Sequence, residues 1–289
     1  MMIIQDEKIT VILDNLVFTS YETSKIQFRL DETAIDGWYD GAPMRRTEGP
    51  RPTQWGDFKT PGYLGSRLIT LTGTAIAPDY VTLQAMRDEF MSTLINGQYT
   101  MMEVRTTSTG RRYIEVGLES TPKWVRKTDT FATFKLDLIA PDPRIYGEQR
   151  VFTIIGARNE GGLPYPLRYP EMYGNDSANE TQFVRNIGNA DAWPTIVVTG
   201  NMPDGFSITD GKGHWVEYKA PVIMSAPITL DFTKGKATQK GQDRTTNLTK
   251  RGWFPIPPGG SVQPRFTFSG KQDISREGWI ELKMRDTWI

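Results

Sequence analysis

Hydrophobic and polar positions alternate along much of the chain, and only one stretch has helical spacing. From 131 to 139, Phe134, Leu136 and Leu138 alternate with Lys135 and Asp137, as in a strand with one buried and one wet face. Stretches 8–18, 25–30, 67–76, 99–105, 111–118 and 122–126 read as further strands, with Thr109-Gly110 making one of the turns. The helix is predicted from Leu83, Met86, Phe90 and Leu94, which share one face. Pro78-Asp79 opens it, with Asp79 suited to the N-cap, and Asn96-Gly97 closes it. The first half is therefore expected to be mostly β with one packed helix.

Beyond the midpoint no helical period is found. Strands are predicted at 150–155, 181–187, 193–199, 206–209, 214–219, 228–232, 263–269 and 278–285. Turn signals separate them: Gly161-Gly162, Gly188-Asn189, Pro203-Asp204-Gly205, Asp210-Gly211 and Pro257-Pro258-Gly259-Gly260. Many short strands at such spacing predict an antiparallel sandwich. The polar, basic stretch 233–250 is expected to be a long exposed loop or hairpin.

The two halves meet at 140–147, Ala-Pro-Asp-Pro-Arg-Ile-Tyr-Gly. Pro141 and Pro143 cannot donate to a sheet ladder and push Ala140 and Asp142 towards extended backbone. Gly147 can take a positive φ cheaply, so a sharp turn is expected there. Pro141, Asp142, Pro143, Tyr146 and Gly147 are the expected hinge between domain 1–147 and domain 148–289, holding the second at a fairly fixed angle.

Stretch 35–65 breaks the alternation, with Gly, Pro and Arg throughout. About thirty aperiodic residues is unusual inside a compact domain. Two readings stand, a mobile surface loop or an arm. Trp38, Tyr39, Trp55, Phe58 and Tyr63 are costly to leave in water unless a neighbour covers them.

Composition narrows the function classes. Lys+Arg and Asp+Glu number 34 each, so the formal net charge is zero, whereas nucleic-acid binders usually carry a basic excess. There are no cysteines, which excludes disulfides, thiolate zinc sites and cysteine nucleophiles. No apolar run is long enough for a membrane-spanning helix, and the N-terminal stretch lacks the features of a signal peptide, so a soluble protein is expected. His214 is the single histidine, set in Asp210-Gly211-Lys212-Gly213-His214-Trp215, and reads as a structural residue at a hairpin. Asp176, Asp191, Asp204 and Asp210 sit in turn contexts and form no calcium loop. No phosphate-loop, dinucleotide or nucleophile-elbow pattern occurs. No catalytic, cofactor or metal residue is assigned. A glycan hydrolase would need only two of the 34 acids brought together, and nothing singles out a pair. Trp193, Trp215, Trp253, Trp279 and Trp288 could form a sugar-stacking platform on a sandwich. Core filling is the stronger expectation, aided by the alternation from Trp279 to Met284.

Four stretches, in this order, resemble the distal tail proteins (Dit) of long-tailed, non-contractile bacteriophages. They are Arg67-Leu68-Ile69-Thr70-Leu71-Thr72-Gly73-Thr74 leading into the helix, the 140–147 junction, Gly188-Asn189-Ala190-Asp191-Ala192-Trp193-Pro194-Thr195-Ile196, and the 252–261 turn from Gly252-Trp253 to Gly260-Ser261. The resemblance implies a structural virion protein at the tail tip, assembled in the host cytoplasm. Its N-terminal domain would build a six-fold ring continuing the tail tube, and its C-terminal domain would be a galectin-like β-sandwich. Implied partners are other copies of the chain, the tail tube protein, the tail-tip hub or fibre protein, and further the tape measure and receptor-binding proteins. A closed ring uses a heterologous interface. Expected ring contacts are Trp38, Tyr39, Trp55 and Phe58, with Arg45, Arg46 and Arg51 supplying polar ones. The competing reading is a carbohydrate-binding module attaching to host wall polysaccharide.

Overall fold

A computed structural model of the chain describes residues 7–156, 182–270 and 277–289. The fold is mainly β, as its alternation predicted. Two compact units divide at Gly147/Glu148.

The first unit contains β1 (Ile9–Leu13), β2 (Leu16–Thr19), β3 (Gln27–Asp36), β4 (Met44–Arg45), β5 (Tyr63–Leu64), β6 (Arg67–Ile76), α1 (Tyr80–Ser92), β7 (Thr100–Thr106), β8 (Gly110–Leu118), β9 (Lys123–Arg126) and β10 (Phe131–Ala140). β7-β1-β2-β3-β6-β10 pair in that order, and β8 bridges β7 to β10 to close a seven-stranded barrel. Closure rests on Leu138 opposite Leu118 and Ile139 opposite Gly117. All these pairings are antiparallel except a short parallel contact of β2 with β3. Alternation decides what enters the core: Ile69, Leu71 and Ala75 of β6, and Ala132, Phe134, Leu136, Leu138 and Ala140 of β10, are buried.

The helix begins where expected. The Asp79 carboxylate accepts from the Thr82 amide at 2.9 Å and from its hydroxyl at 3.0 Å. Leu83, Met86 and Phe90 form the buried face, with Phe90 against Phe28, Phe134 and Trp124 at ring separations of 6.1, 5.4 and 5.6 Å. The expected end at Asn96-Gly97 is corrected: the helix stops at Ser92, and Leu94 takes a φ of 53°. Leu94 thus satisfies helical spacing without being helical. The expected strand 8–18 is likewise two, because Asp14 at φ 53° turns the chain between Leu13 and Leu16. Asp tolerates the left-handed region better than most residues, and with Asn15 makes a two-residue hairpin loop.

From the junction, β11 (Ile145–Ile155) leads into the second unit, with β12 (Val184–Arg185), β13 (Thr195–Asn201), β14 (Phe206–Thr209), β15 (Trp215–Tyr218), β16 (Ile228–Asp231), β17 (Lys236–Gln239), β18 (Gln242–Asp243), β19 (Leu248–Arg251), β20 (Ser261–Val262), β21 (Arg265–Phe268) and β22 (Glu277–Trp288). The sharp turn expected at Gly147 is not there, since Gly147 lies within β11. The bend falls earlier, where Pro141 and Pro143 already prevent ladder pairing.

In the second unit one sheet runs β18-β17-β16-β13-β22-β11 and another β19-β15-β14-β21, with β12-β20 a separate pair. Ile196, Val198, Leu230, Ile280 and Leu282 of the first sheet share one core with Phe206, Ile208, Val216, Tyr218 and Phe266 of the second, which makes the unit a sandwich. Buried Asn186 pins its rim. Its side-chain amide donates to the Ala190 and Ile256 carbonyls at 2.6 and 3.1 Å and accepts from the Gly188 and Thr287 amides. Stretch 233–250, expected to be a loop or hairpin, holds the β17–β18 hairpin, a 3-10 turn and β19, with Ala237 and Leu248 buried. Gly161-Gly162 and Asp176 lie outside the described residues.

Candidate functional site

Stretch 35–65 is a two-legged arm rather than an unstructured loop. It leaves the barrel at Gly37, whose φ of 80° suits glycine. A Cβ there would sit 2.0 Å from the Leu68 carbonyl oxygen, so the chain lies directly against β6. The legs pair at β4–β5, with Met44 opposite Leu64 and Arg45 opposite Tyr63. They pair again further out, where the Phe58 amide donates to the Gly49 carbonyl at 2.9 Å and the Arg51 amide to the Gly56 carbonyl at 3.2 Å. Gly56, at φ 85°, helps turn the tip.

Trp55 at the tip is fully exposed, at 100%. Tyr39, Met44, Phe58 and Tyr63 are also exposed, the Arg51 guanidinium lies 5.9 Å from the Phe58 ring centroid, and Arg45 and Arg46 are exposed on the outgoing leg. The arm therefore brings Arg45, Arg46, Arg51, Trp55 and Phe58 onto one projecting element. Tyr39 stays near the root, where partial desolvation and the charge of Glu7 raise its phenol above the ordinary value and Arg112 opposes them. Trp38 is placed otherwise. Its side chain is 4% exposed, packed inside its own unit as an anchor for the root.

The root is held by a residue that no motif in the sequence singles out. Arg67, first in β6, is 1% exposed. Its Nε donates to the Pro143 carbonyl at 3.0 Å, and one terminal nitrogen donates to the carbonyls of Gly37, Trp38 and Asp40 at 2.8, 3.4 and 2.5 Å. Burial lowers its pKa from the ordinary arginine value, and the Asp40 carboxylate acts against that. One guanidinium thus ties the start of the arm to the junction. Position 67 shares the inward face with Ile69 and Leu71, so the alternation already placed a charge inside.

The junction residues form a local cluster. The Asp142 carboxylate receives Arg144 in bidentate fashion, both contacts at 2.8 Å, and the Tyr146 hydroxyl at 2.6 Å. Burial acts to raise the Asp142 pKa, but these hydrogen bonds and the Arg144 charge outweigh it and hold the carboxyl below its ordinary value.

Elsewhere, His214 sits in the β14–β15 turn with Nδ1 2.7 Å from Asp210. The Asp210 carboxylate also accepts from the amides of Lys212 and His214, at 2.7 and 3.1 Å, so the pair organises a turn. The tryptophans divide. Trp193 and Trp253 pack on the core, Trp215 is exposed with Lys250 over its ring, and Trp279 lies on the face of β22 opposite Ile280, Leu282 and Met284. The alternation thus fills the core with the aliphatic partners of Trp279.

No protein-family model and no curated protein matches the sequence. Among solved structures, the crystal structure of the SPP1 Dit protein is similar over 97% of this chain and 99% of its own, with a TM-score of 0.64 at 13% identity. The chain has the Dit fold. That Dit is described as a paradigm of the hub adsorption apparatus in phages infecting Gram-positive hosts. The phage P2 baseplate in its activated conformation also matches, with calcium at a TM-score of 0.48 and 10% identity and with strontium at 0.47 and 11%. Each of these matches covers 96% of this chain and 97% of the other. The likeness to the SPP1 Dit protein spans both units of this chain.

Proposed function

We propose that this chain is a structural protein of a bacteriophage tail. Copies of it form a ring, six-fold on the resemblance, at the distal end of the tail tube and join the tube to the tail-tip hub and fibre proteins. The observation that carries this reading is the coextensive likeness of both units to a Dit of a phage hub. In the mature virion its place is the tail tip, after assembly in the host cytoplasm. Its partners are neighbouring copies, the tube protein above and the hub or fibre protein below, with tape measure and receptor-binding proteins as further contacts. The role is architectural and requires no catalysis.

The arm is the element we assign to the contact between copies. It projects apolar and arginine side chains on a narrow ribbon, and a fully exposed tryptophan gains most when a partner buries it. The test is assembly of the purified chain, by sedimentation velocity and negative-stain electron microscopy, with and without residues 40–60. The full chain, alone or with its tube partner, gives annular particles, and the deletion leaves a folded protein without them. Rings from the deleted chain would remove the arm from the contact, and the absence of any annular oligomer from the full chain, with or without tube protein, would remove the ring.

A further inference from the structure

We infer that Arg67 is a positioning residue for the arm, fixing the direction in which it leaves the barrel before a second copy is met. This rests on the reading of the arm as the contact between copies, and it concerns how that contact is prepared.

An arginine at an inward strand position is a costly choice. Burying a charge is unfavourable unless it is fully hydrogen-bonded, and buried ions are weak evidence for stability. Their best-attested use is to specify one arrangement among several. Arg67 has the geometry for that. Its acceptors are main-chain carbonyls, three in the first turn of the arm at Gly37, Trp38 and Asp40, and one at Pro143, over a hundred positions away in sequence from Asp40. The guanidinium bridges these segments with two of its nitrogens, Nε to Pro143 and one terminal nitrogen to the arm, while its other terminal nitrogen is buried without a hydrogen-bond partner among the described residues. A lysine ammonium on a single stem does not hold two donors at this spacing.

The arm has little else to orient it. Met44, Tyr63, Phe58 and Trp55 are exposed, so outer-leg burial does not hold it against the barrel. Two further features act at the same place, the buried Trp38 ring and Gly37 pressed against Leu68. All three fixings lie at the root. An arm directed in advance loses less conformational freedom on docking, which is how preorganisation strengthens association.

The chain has no cysteines, so Glu48→Cys and Lys123→Cys place one spin label on the exposed outgoing leg and one on the exposed start of β9. Double electron–electron resonance is read on labelled chains diluted in excess unlabelled protein, with Arg67 intact, in Arg67→Lys and in Arg67→Met. Expected is one narrow distance peak with Arg67 intact and loss of that single peak in both variants, while the β circular dichroism persists. A broad distribution with Arg67 intact, or an unchanged narrow peak in Arg67→Lys, would overturn the assignment. Should Arg67→Met not fold, the intact chain and Arg67→Lys still decide it. The distances are intramolecular, so failure of the ring reading, seen as assembly without residues 40–60, is read separately.

Discussion

The Tyr146 hydroxyl donates to the Asp142 carboxylate at 2.6 Å, across the two sides of a proline-framed bend. Arg144 completes the cluster, and together these partners overcome the effect of burial and keep the Asp142 carboxyl below its ordinary value. A carboxyl depressed in this way binds fewer protons folded than unfolded. Its stabilising share is complete above the unfolded value of about 4 and disappears as pH falls through the lower folded value. Asp137 and Asp210 are depressed in the same direction. Chemical denaturation followed from pH 7 to pH 2 should therefore show stability falling below about pH 4, with a smaller fall in Asp142→Asn. The Asp142 side chain is 35% exposed, so the substitution should cost only about 1 kcal/mol at neutral pH.

Phe90 carries the helix into the aromatic core of the first unit. Its ring is fully buried among Phe28, Phe134 and Trp124. Phe90→Ala should cost about 3–5 kcal/mol, depending on how far the neighbouring rings close the cavity. Equilibrium unfolding in guanidinium, with and without the substitution, measures it.

Trp55 should behave in the opposite way. At full exposure it contributes no packing to its own chain, so Trp55→Ala should leave unfolding unchanged within about 0.5 kcal/mol. If the arm tip docks on a second copy, the loss falls on assembly instead, about 2 kcal/mol or roughly 30-fold per contact for a central aromatic anchor. Unfolding curves and sedimentation of the same two proteins separate the effects.

Asp210 and His214 should prove unequal although they touch. Asp210 accepts from two backbone amides as well as from the imidazole, and its side chain is 4% exposed while that of His214 is 61% exposed. Asp210→Ala should therefore cost about 1–3 kcal/mol, by stranding donors at the turn. His214→Ala should cost about 0.5 kcal/mol or less. Equal losses would mean that the contact with the imidazole, and not the two amide contacts of Asp210, holds the turn.

Local signals were the ones a single sequence could deliver. The alternation of Phe134, Leu136 and Leu138 marks β10, the Thr-rich run 67–76 coincides with β6, and the side-chain chemistry of Asp79 marks the helix cap. Errors arose where one pattern fitted two backbones. Leu94 keeps helical spacing in a left-handed conformation, and Asp14-Asn15 turns inside an otherwise strand-like run. Around Ala237 and Leu248 the strands bury too little to stand out from their polar surroundings. Arg67 was hidden for another reason, since main-chain carbonyl partners leave no mark on residue identity. Only its phase with Ile69 and Leu71 could have revealed it. The pairing of Leu118 with Leu138 that closes the barrel is a fact of register, which neither strand announces alone.

Closure of that barrel also sets a schedule for the newborn chain. β1 can pair at once with β2, but its other edge belongs to β7, where Ile9 meets Thr106. On a ribosome adding about 5–20 residues per second, that edge waits roughly 5–20 s for its partner. Until then the chain carries an open ladder of donors and acceptors, the kind of surface that recruits strands from neighbours. Where many copies are made at once, the interval between Leu13 and Thr100 leaving the ribosome is when misassembly competes most strongly with folding.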